Sequence, residues 1–196
     1  TGNLHFEGLM SCAFLGSIYY LSAKKTAYSA LFLGLACAIK IMPFLFVPLY
    51  VIKTKKSKAW LFLALPTIIF ILTLAPFYHP EMFIHILKSI KLYFGEFEFN
   101  SSIYLLFQWI GIPKIFLKIL LLLDLSLIFI WIYKQKITLT TGFVWLFTSY
   151  LFLSQSIHPW YVAGFLAIAL LNQQRYMILW TFLVFLTYIT YQTSNY

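Results

Sequence analysis

The chain has 196 residues, of which 62% are hydrophobic, 21% are aromatic and only 10% are charged. Soluble domains carry about 25% charged residues, so this composition excludes an ordinary soluble protein and predicts a polytopic membrane protein. The formal net charge of +9 does not indicate nucleic-acid binding, because the basic residues come in short clusters between apolar runs. In a membrane protein, such clusters mark cytoplasmic loops.

Several apolar stretches approach the length of a membrane span, which takes about 20 residues for a hydrocarbon core of ~30 Å. We therefore predict an all-α fold of about six spans, arranged as a single transmembrane domain over residues 1–196. In chain order the predicted spans are Leu9–Leu21, Trp60–Phe77, Ile115–Tyr133, Gly142–Leu153, Trp160–Leu171 and Met177–Tyr191.

The segment Thr26–Ile52 is compatible with two topologies. It has basic clusters at both ends, and its middle reads AIKIMPFLFVP, in which Lys40 is followed by two prolines. If the segment crosses once, six basic residues lie on one side and seven on the other; if it enters and returns, nine lie on one face and four on the other. The positive-inside rule favours the second topology, and proline interrupts helices because it lacks a backbone donor. We predict a short re-entrant helical hairpin with Lys40 inside the membrane.

This topology puts the polar motifs on the non-cytoplasmic face. The motifs are GNLHFEG, YHPEMFIHILKSIKLYFGEFEFNSS and SQSIHPWY, and they contain all four histidines and four of the five acidic residues. Any chemistry is therefore expected on the outer face. Within the second motif, PEMFIHILKSIKLYF predicts an amphipathic helix at the outer interface of the membrane.

Lys40 and His158 are the strongest candidates for anion binding. A lysine deep in a membrane costs roughly 2.5–3.5 kcal/mol, so it indicates a counter-charge or an anionic ligand such as phosphate, unless the side chain snorkels to the interface. The proline after His158 disfavours helix at that histidine, which predicts an imidazole at a helix N-terminus, where anions are favoured. Trp160 and Tyr161 alone would read as an aromatic belt at the membrane interface.

Two further polar stretches can bind a hydroxylated ligand. Asn3, His5 and Glu7 supply an amide, an imidazole and a carboxylate, which can move a proton or simply cap the first helix. FGEFEFNSS combines aromatic rings with carboxylates and Asn100, which suits a sugar and also suits an interfacial loop. No metal site is predicted, since Cys12 and Cys37 lie inside apolar runs.

The motifs GNLHFEG, AIKIMPFLFVPLY, FEFNSSIY and HPWY occur in this order, and together they resemble the GT-C superfamily of membrane glycosyltransferases. The resemblance covers most of the chain and is greatest to mannosyltransferases that use a polyprenyl-phosphate sugar donor. It implies transfer of a hexose, with mannose expected, to a hydroxyl of a glycan or glycolipid acceptor. It implies no cofactor, no nucleic-acid partner, and an extracytoplasmic active site in a bacterial plasma membrane or a eukaryotic ER.

The resemblance also implies roles for individual residues. The family's catalytic carboxylate lies near the N-terminus, so we expect this chain to be the C-terminal part of a longer protein and inactive alone, with Glu7 as the fallback base. The donor phosphate is expected at Lys40 and His158, and the sugar or acceptor pocket at Asn3, His5, Asn100, Trp160 and Tyr161.

Two other classes of protein remain open. A transporter or flippase of a lipid-linked or anionic substrate would use a broken helix near the middle of the membrane, and Lys40 fits that pattern. The polar groups, however, crowd one face, and the sequence has no internal repeat. A non-catalytic membrane assembly subunit would use the outer motifs to bind a partner.

Overall fold

A computed structural model of the chain describes residues 6–92 and 98–188. Throughout these ranges the fold is all-helical and has no β-strand, as the composition predicts. Two short 3-10 helices, Met42–Phe46 and Ala75–Phe77, accompany the α-helices. The α-helices are α1 (Glu7–Ser22), α2 (Thr26–Ile39), α3 (Val47–Lys53), α4 (Lys56–Leu74), α5 (Met82–Lys91), α6 (Ser102–Trp109), α7 (Lys114–Lys134), α8 (Leu139–Phe152), α9 (Pro159–Leu171) and α10 (Tyr176–Phe185).

Each of the six predicted spans overlaps a helix, namely α1, α4, α7, α8, α9 or α10. The last one, Met177–Tyr191, extends beyond the end of α10 and ends outside the described residues. In the described ranges, two helical segments are long and apolar enough to cross a membrane: Lys56–Phe77 and Lys114–Lys134. Both leave most of their surface exposed. The other apolar helices are 10–17 residues long, so a bundle of about six spans stays a prediction.

The chain divides into two compact units, Thr1–Ile86 and Leu87–Tyr196. The first contains α1 to α4, the second contains α6 to α10, and α5 crosses the boundary. The organisation as a single domain stays a prediction.

In the first unit, α1 and α2 form an antiparallel hairpin joined by two serines. Ser17 Oγ donates to the backbone carbonyl of Ser29, and Ser29 Oγ donates to that of Ser17, both at 2.8 Å. Both side chains are fully buried, and small residues of this kind let two helices approach closely. This pairing fixes which residues of α1 and α2 lie side by side.

The chain reverses direction between α2 and α3. Gly34 of α2 lies against Ile69 of α4. The centroid of the Phe44 ring lies 5.4 Å from that of the Phe70 ring, also in α4. Because ten residues of straight helix would rise about 15 Å, Gly34 and Phe44 can lie beside the same part of α4 only if the chain turns between them. The rings of Tyr50 and Phe62 lie 4.8 Å apart and are tilted by 30°. Together with the contact between Phe44 and Phe70, this shows that the chain after the turn runs antiparallel to α4.

Lys40 lies at this turn. It is the C-cap of α2, in an extended conformation with φ −146° and ψ 144°. Pro43 opens the following 3-10 helix and Pro48 opens α3, where a missing backbone donor is tolerated. The helical break predicted from AIKIMPFLFVP is therefore present, and its re-entry into a membrane stays a prediction.

In the second unit, polar contacts join successive helices. Asp124 of α7 accepts a hydrogen bond from Ser149 of α8. Asn172, the C-cap of α9, accepts from Thr140 and Thr141 of α8 at 2.9 and 3.0 Å. These contacts hold α7 beside α8, and α8 beside α9.

The predicted amphipathic helix is present as α5. Its apolar residues are largely exposed, with 64% of Phe83 and 65% of Leu87 accessible. Lys88 and Lys91 lie in its last turn, where positive charge is favoured by the helix dipole. Its location at a membrane surface stays a prediction.

Candidate functional site

Glu7 and Lys40 form an ion pair at one end of the first unit. Glu7 begins α1 and Lys40 caps α2, and the antiparallel arrangement of these helices brings the two ends together. Lys40 Nζ donates a hydrogen bond to Glu7 Oε1. The side chains are 27% and 9% exposed, respectively. The lysine therefore has a counter-charge within the chain, which was one of the two alternatives raised by its sequence position.

The second carboxylate oxygen of Glu7, Oε2, is the atom that acid–base chemistry would use. Glu7 Oε2 is buried and accepts no hydrogen bond from any residue in 6–92 or 98–188. A carboxylate held on one side by a lysine can take a proton from a hydroxyl on the other. The arrangement can thus serve acid–base chemistry.

In the second unit, two loops cross at Phe99 and Ser156, which form a parallel β-bridge. The backbone N–H of Phe99 donates to the carbonyl of Gln155 at 3.2 Å, and that of Ile157 donates to the carbonyl of Phe99 at 2.8 Å. Asn100 then adopts a positive φ of 53°, a conformation that asparagine tolerates better than most residues. It turns the chain into α6. We call this feature the loop crossing.

His158 lies among aromatic rings next to the loop crossing. Its imidazole stacks on Trp160, with centroids 4.3 Å apart and an interplanar angle of 8°, and on Phe99 at 4.7 Å and 23°. Tyr161 meets it edge-on at 5.2 Å. The backbone of His158 is extended and Pro159 begins α9, as the sequence predicts. The histidine itself is only 6% exposed, so the rings enclose it.

Three polar side chains are buried around the loop crossing. Ser101, Gln155 and Ser156 are 2%, 8% and 7% exposed. Within the described part of the chain, one polar atom of each has no hydrogen-bond partner: Ser101 Oγ, Gln155 Nε2 and Ser156 Oγ. Each such group costs about 1–3 kcal/mol if it stays unpaired. Sequence reasoning missed them, because single serines and glutamines carry no signal until the bridge brings their segments together.

Glu98 belongs to a second ion pair in this unit. It accepts hydrogen bonds from Lys114 Nζ at 2.8 Å and from Gln108 Nε2 at 3.2 Å. The hydrogen bond from Lys114 is the main reason why the pKa of the Glu98 carboxyl lies below its usual value. This carboxylate is therefore held ionised by its own chain. The loop FGEFEFNSS draws attention to Glu98, whereas its partner could not be inferred.

The predicted site residues fall into two groups and a remainder. Glu7 and Lys40 come together in the first unit, while Asn100, His158, Trp160 and Tyr161 gather in the second. Because Lys40 and His158 belong to different units, their shared binding of a phosphate stays a prediction. Asn3 and His5 lie outside the described residues.

The described ranges contain no group of three or more His, Cys, Asp or Glu side chains that could hold a metal ion. Comparisons with family models, with curated proteins and with solved structures find no match to this chain. The resemblance to GT-C glycosyltransferases therefore rests on the order of the motifs alone.

Proposed function

We propose that this protein is a membrane glycosyltransferase of the GT-C type. It moves a hexose from a polyprenyl-phosphate donor to a hydroxyl acceptor at the extracytoplasmic face. The observation that carries the proposal is the Glu7–Lys40 ion pair, in which a buried carboxylate oxygen lies beside a cation at the turn of a helical hairpin. Mannose as the sugar follows from the motif resemblance.

In the proposed reaction Glu7 is the general base. Its Oε2 takes the proton of the acceptor hydroxyl, and the hydroxyl oxygen forms a bond to the anomeric carbon of the donor sugar. The bond between that carbon and the phosphate oxygen breaks, and the lipid phosphate leaves with the electron pair. Proton transfer neutralises Glu7, so the charge of Lys40 becomes available to the developing negative charge on the phosphate.

The chain's other features agree with this proposal. Its composition is that of a membrane protein, two helices within residues 6–92 and 98–188 are long and apolar enough to span a membrane, and its acidic residues lie mainly in the motifs predicted to face outward. An enzyme that acts on a water-soluble substrate would need none of these features. The turn at Lys40 also provides non-helical backbone, which membranes tolerate where it lines a cavity.

The test measures transfer from a radiolabelled polyprenyl-phosphate hexose in membranes that contain the full-length gene product. We expect Glu7→Gln and Lys40→Met each to lower the rate about 100-fold or more, the usual contribution of a general base or its electrostatic partner. Glu81→Gln and Lys88→Met are matched controls, since both residues are exposed on or beside α5. They should keep wild-type rates.

Two results would reject the proposal. One is the absence of transfer by the wild-type protein with every lipid-phosphate sugar offered. The other is full activity in both Glu7→Gln and Lys40→Met at wild-type expression.

A transporter or flippase is the second candidate, and the position of Lys40 between two short helices favours it. Broken helices of this kind form substrate sites in transporters. Sealed vesicles loaded with the fluorescent lipid-phosphate sugar distinguish the two. Movement of the lipid between leaflets without sugar transfer would support transport and reject the transferase.

A further inference from the structure

We infer that one end of the first unit binds the anionic headgroups of membrane phospholipids. The surface consists of the six lysines at two turns of the chain, and we call it the lysine patch. Its members are Lys24 and Lys25 at the α1–α2 turn, and Lys53, Lys55, Lys56 and Lys58 at the α3–α4 turn. The inference does not depend on the proposed transferase. It is argued from the topology of the unit, the balance of charge and the neighbouring aromatic rings.

The fold brings the two turns to the same end of the unit. α1 and α2 are antiparallel, and the chain turns back at Lys40. α3 then runs antiparallel to α4. The first and third turns therefore lie together, and the turn at Lys40 lies at the opposite end.

Lysines from the two turns lie at the same level along their helices. Gly34 of α2 packs on the backbone of α4 at Leu65. Lys25 precedes Gly34 by nine residues, and Lys56 precedes Leu65 by the same number. Both lysines are therefore about 13 Å from this contact along the helix axis. Because packed helices lie about 8–10 Å apart, long lysine side chains from both turns can reach one headgroup.

The lysine patch lacks compensating negative charge within residues 6–86. The acidic residues of this range are Glu7 and Glu81. Glu7 is paired with Lys40 at the opposite end, and Glu81 follows the far end of α4. The ion pairs of the range include no lysine of the patch. Five of the six lysines are exposed, so the patch presents concentrated positive charge to its surroundings.

The helix that follows the second turn does not favour these charges. Lys55 is the N-cap of α4 and makes no side-chain cap hydrogen bond, and Lys56 and Lys58 lie in the first turn. The helix dipole makes positive charge unfavourable there, and N-caps are usually Ser, Thr, Asp or Asn. An anion bound by these lysines would offset both the dipole and their mutual repulsion.

Aromatic rings beside the lysine patch favour a membrane lipid as the anion. Tyr19 and Tyr28 are 67% and 56% exposed near the first turn, and Trp60 is 59% exposed near the second. Exposed Tyr and Trp concentrate at the level of the lipid headgroups. The segment Lys56–Phe77, which begins inside the patch, is long and apolar enough to span a membrane. A cluster of about four to eight basic residues next to such a helix is typical of binding to anionic lipids.

The test measures lipid preference in nanodiscs, where both leaflets have the same composition and the orientation of the protein has no effect. The full-length gene product carries a bimane fluorophore at Ser57→Cys, between Lys56 and Lys58, and its other cysteines are replaced. Phosphatidylglycerol or phosphatidylcholine with a nitroxide near the headgroup quenches the bimane. Each is added at the same low mole fraction to unlabelled phosphatidylcholine. The ratio of the two quenching constants gives the preference for the anionic lipid.

We expect phosphatidylglycerol to be preferred at least about fivefold, which corresponds to the ~1 kcal/mol of one lysine near the headgroups. Lys55→Gln with Lys56→Gln should lower the preference. Lys24→Gln with Lys25→Gln should lower it too, although the fluorophore is at the other turn, because the two turns form one surface. Salt at about 1 M, where the Debye length is about 3 Å, should also lower it.

Two further double variants serve as controls. Lys88→Gln with Lys91→Gln removes the same charge from exposed lysines of α5 and should leave the preference unchanged. Lys55→Arg with Lys56→Arg keeps the charge of the patch and should also keep the preference.

The inference is rejected if the preference of the wild-type protein is below about twofold. It is also rejected if either Gln double variant of the patch keeps the wild-type preference. Lysine-dependent binding of polyglutamate to phosphatidylcholine nanodiscs, without a preference for phosphatidylglycerol, would reject the lipid and indicate an acidic protein as the partner.

Discussion

Glu7 and Lys40 depend on each other because each is the counter-charge of the other. Removing one partner of a buried ion pair leaves the remaining charge poorly compensated, which costs about 3 kcal/mol. Glu7 is the more buried of the two, at 9% exposure against 27%. Loss of its lysine should therefore be the more damaging change.

We expect Lys40→Met to lower the free energy of unfolding by about 3 kcal/mol and Glu7→Gln to lower it by less. The double variant should regain part of the loss, since neither charge then remains without the other. The measurement is a double-mutant cycle on the unfolding free energy in nanodiscs. Strictly additive losses would contradict the pairing.

Single residues differ in how much their sequence context reveals. Lys40 was conspicuous because a lysine inside an apolar segment is costly, and His158 because a proline follows it. The identity of their partners could not be predicted. Glu7 meets Lys40 because α1 and α2 pack antiparallel in the register that places Ser17 beside Ser29. Phe99 meets His158 where a bridge joins two loops that are distant in the sequence.

Close contact between helices gives the glycines of the first unit different tolerance to substitution. A Cβ at Gly34 would lie 3.2 Å from backbone atoms of α4 and 2.5 Å from Ile69. A Cβ at Gly16 would meet only the ring of Phe32, at 2.6 Å, and a side chain can move where backbone cannot. Gly8 has nothing within 4 Å of its Cβ position.

We therefore expect Gly34→Ala to destabilise the protein most, by about 1–3 kcal/mol, as overpacking typically does. Gly16→Ala should cost less, and Gly8→Ala should stabilise by about 0.5–1 kcal/mol because glycine weakens a helix. Thermal unfolding of the three variants in the same nanodiscs measures the order. An equal loss at Gly34 and Gly8 would show that α2 does not pack on α4 in this way.

Helices were the most predictable elements. Long apolar runs fold as helices whether they face lipid or protein, so each of the six runs predicted as spans overlaps a helix. The turn at Lys40 was also predictable, from prolines and charge balance. By contrast, α6 begins at Ser102, inside the motif FEFNSSIY, which predicts a loop, because eight residues of helix are too few to give a clear helical periodicity. Such short helices are decided by their neighbours.

At the scale of the whole molecule, the hairpin topology makes a prediction that a single crossing does not. Ala23 precedes the hairpin and Ser57 follows it, and both are exposed. If the chain enters and returns, these positions lie on the same, cytoplasmic face. Glu81 lies beyond α4 and is predicted on the opposite face.

The measurement places single cysteines at these three positions in a background with Cys12 and Cys37 replaced. We expect a membrane-impermeant maleimide added outside to label Glu81→Cys, and to leave Ala23→Cys and Ser57→Cys unlabelled until the membrane is opened. Labelling of Ala23→Cys and Ser57→Cys from opposite sides would instead establish a single crossing. It would also remove the charge argument for the hairpin.

The bridge between Phe99 and Ser156 has a consequence for how the protein is made. It joins positions on either side of α6, α7 and α8, and closing so long a segment costs more chain entropy than any contact between neighbouring helices. The rings around His158 can therefore come together only after those three helices have been synthesised and positioned. A nascent chain halted before Ser156 would have all of α1 to α8 and still lack this site.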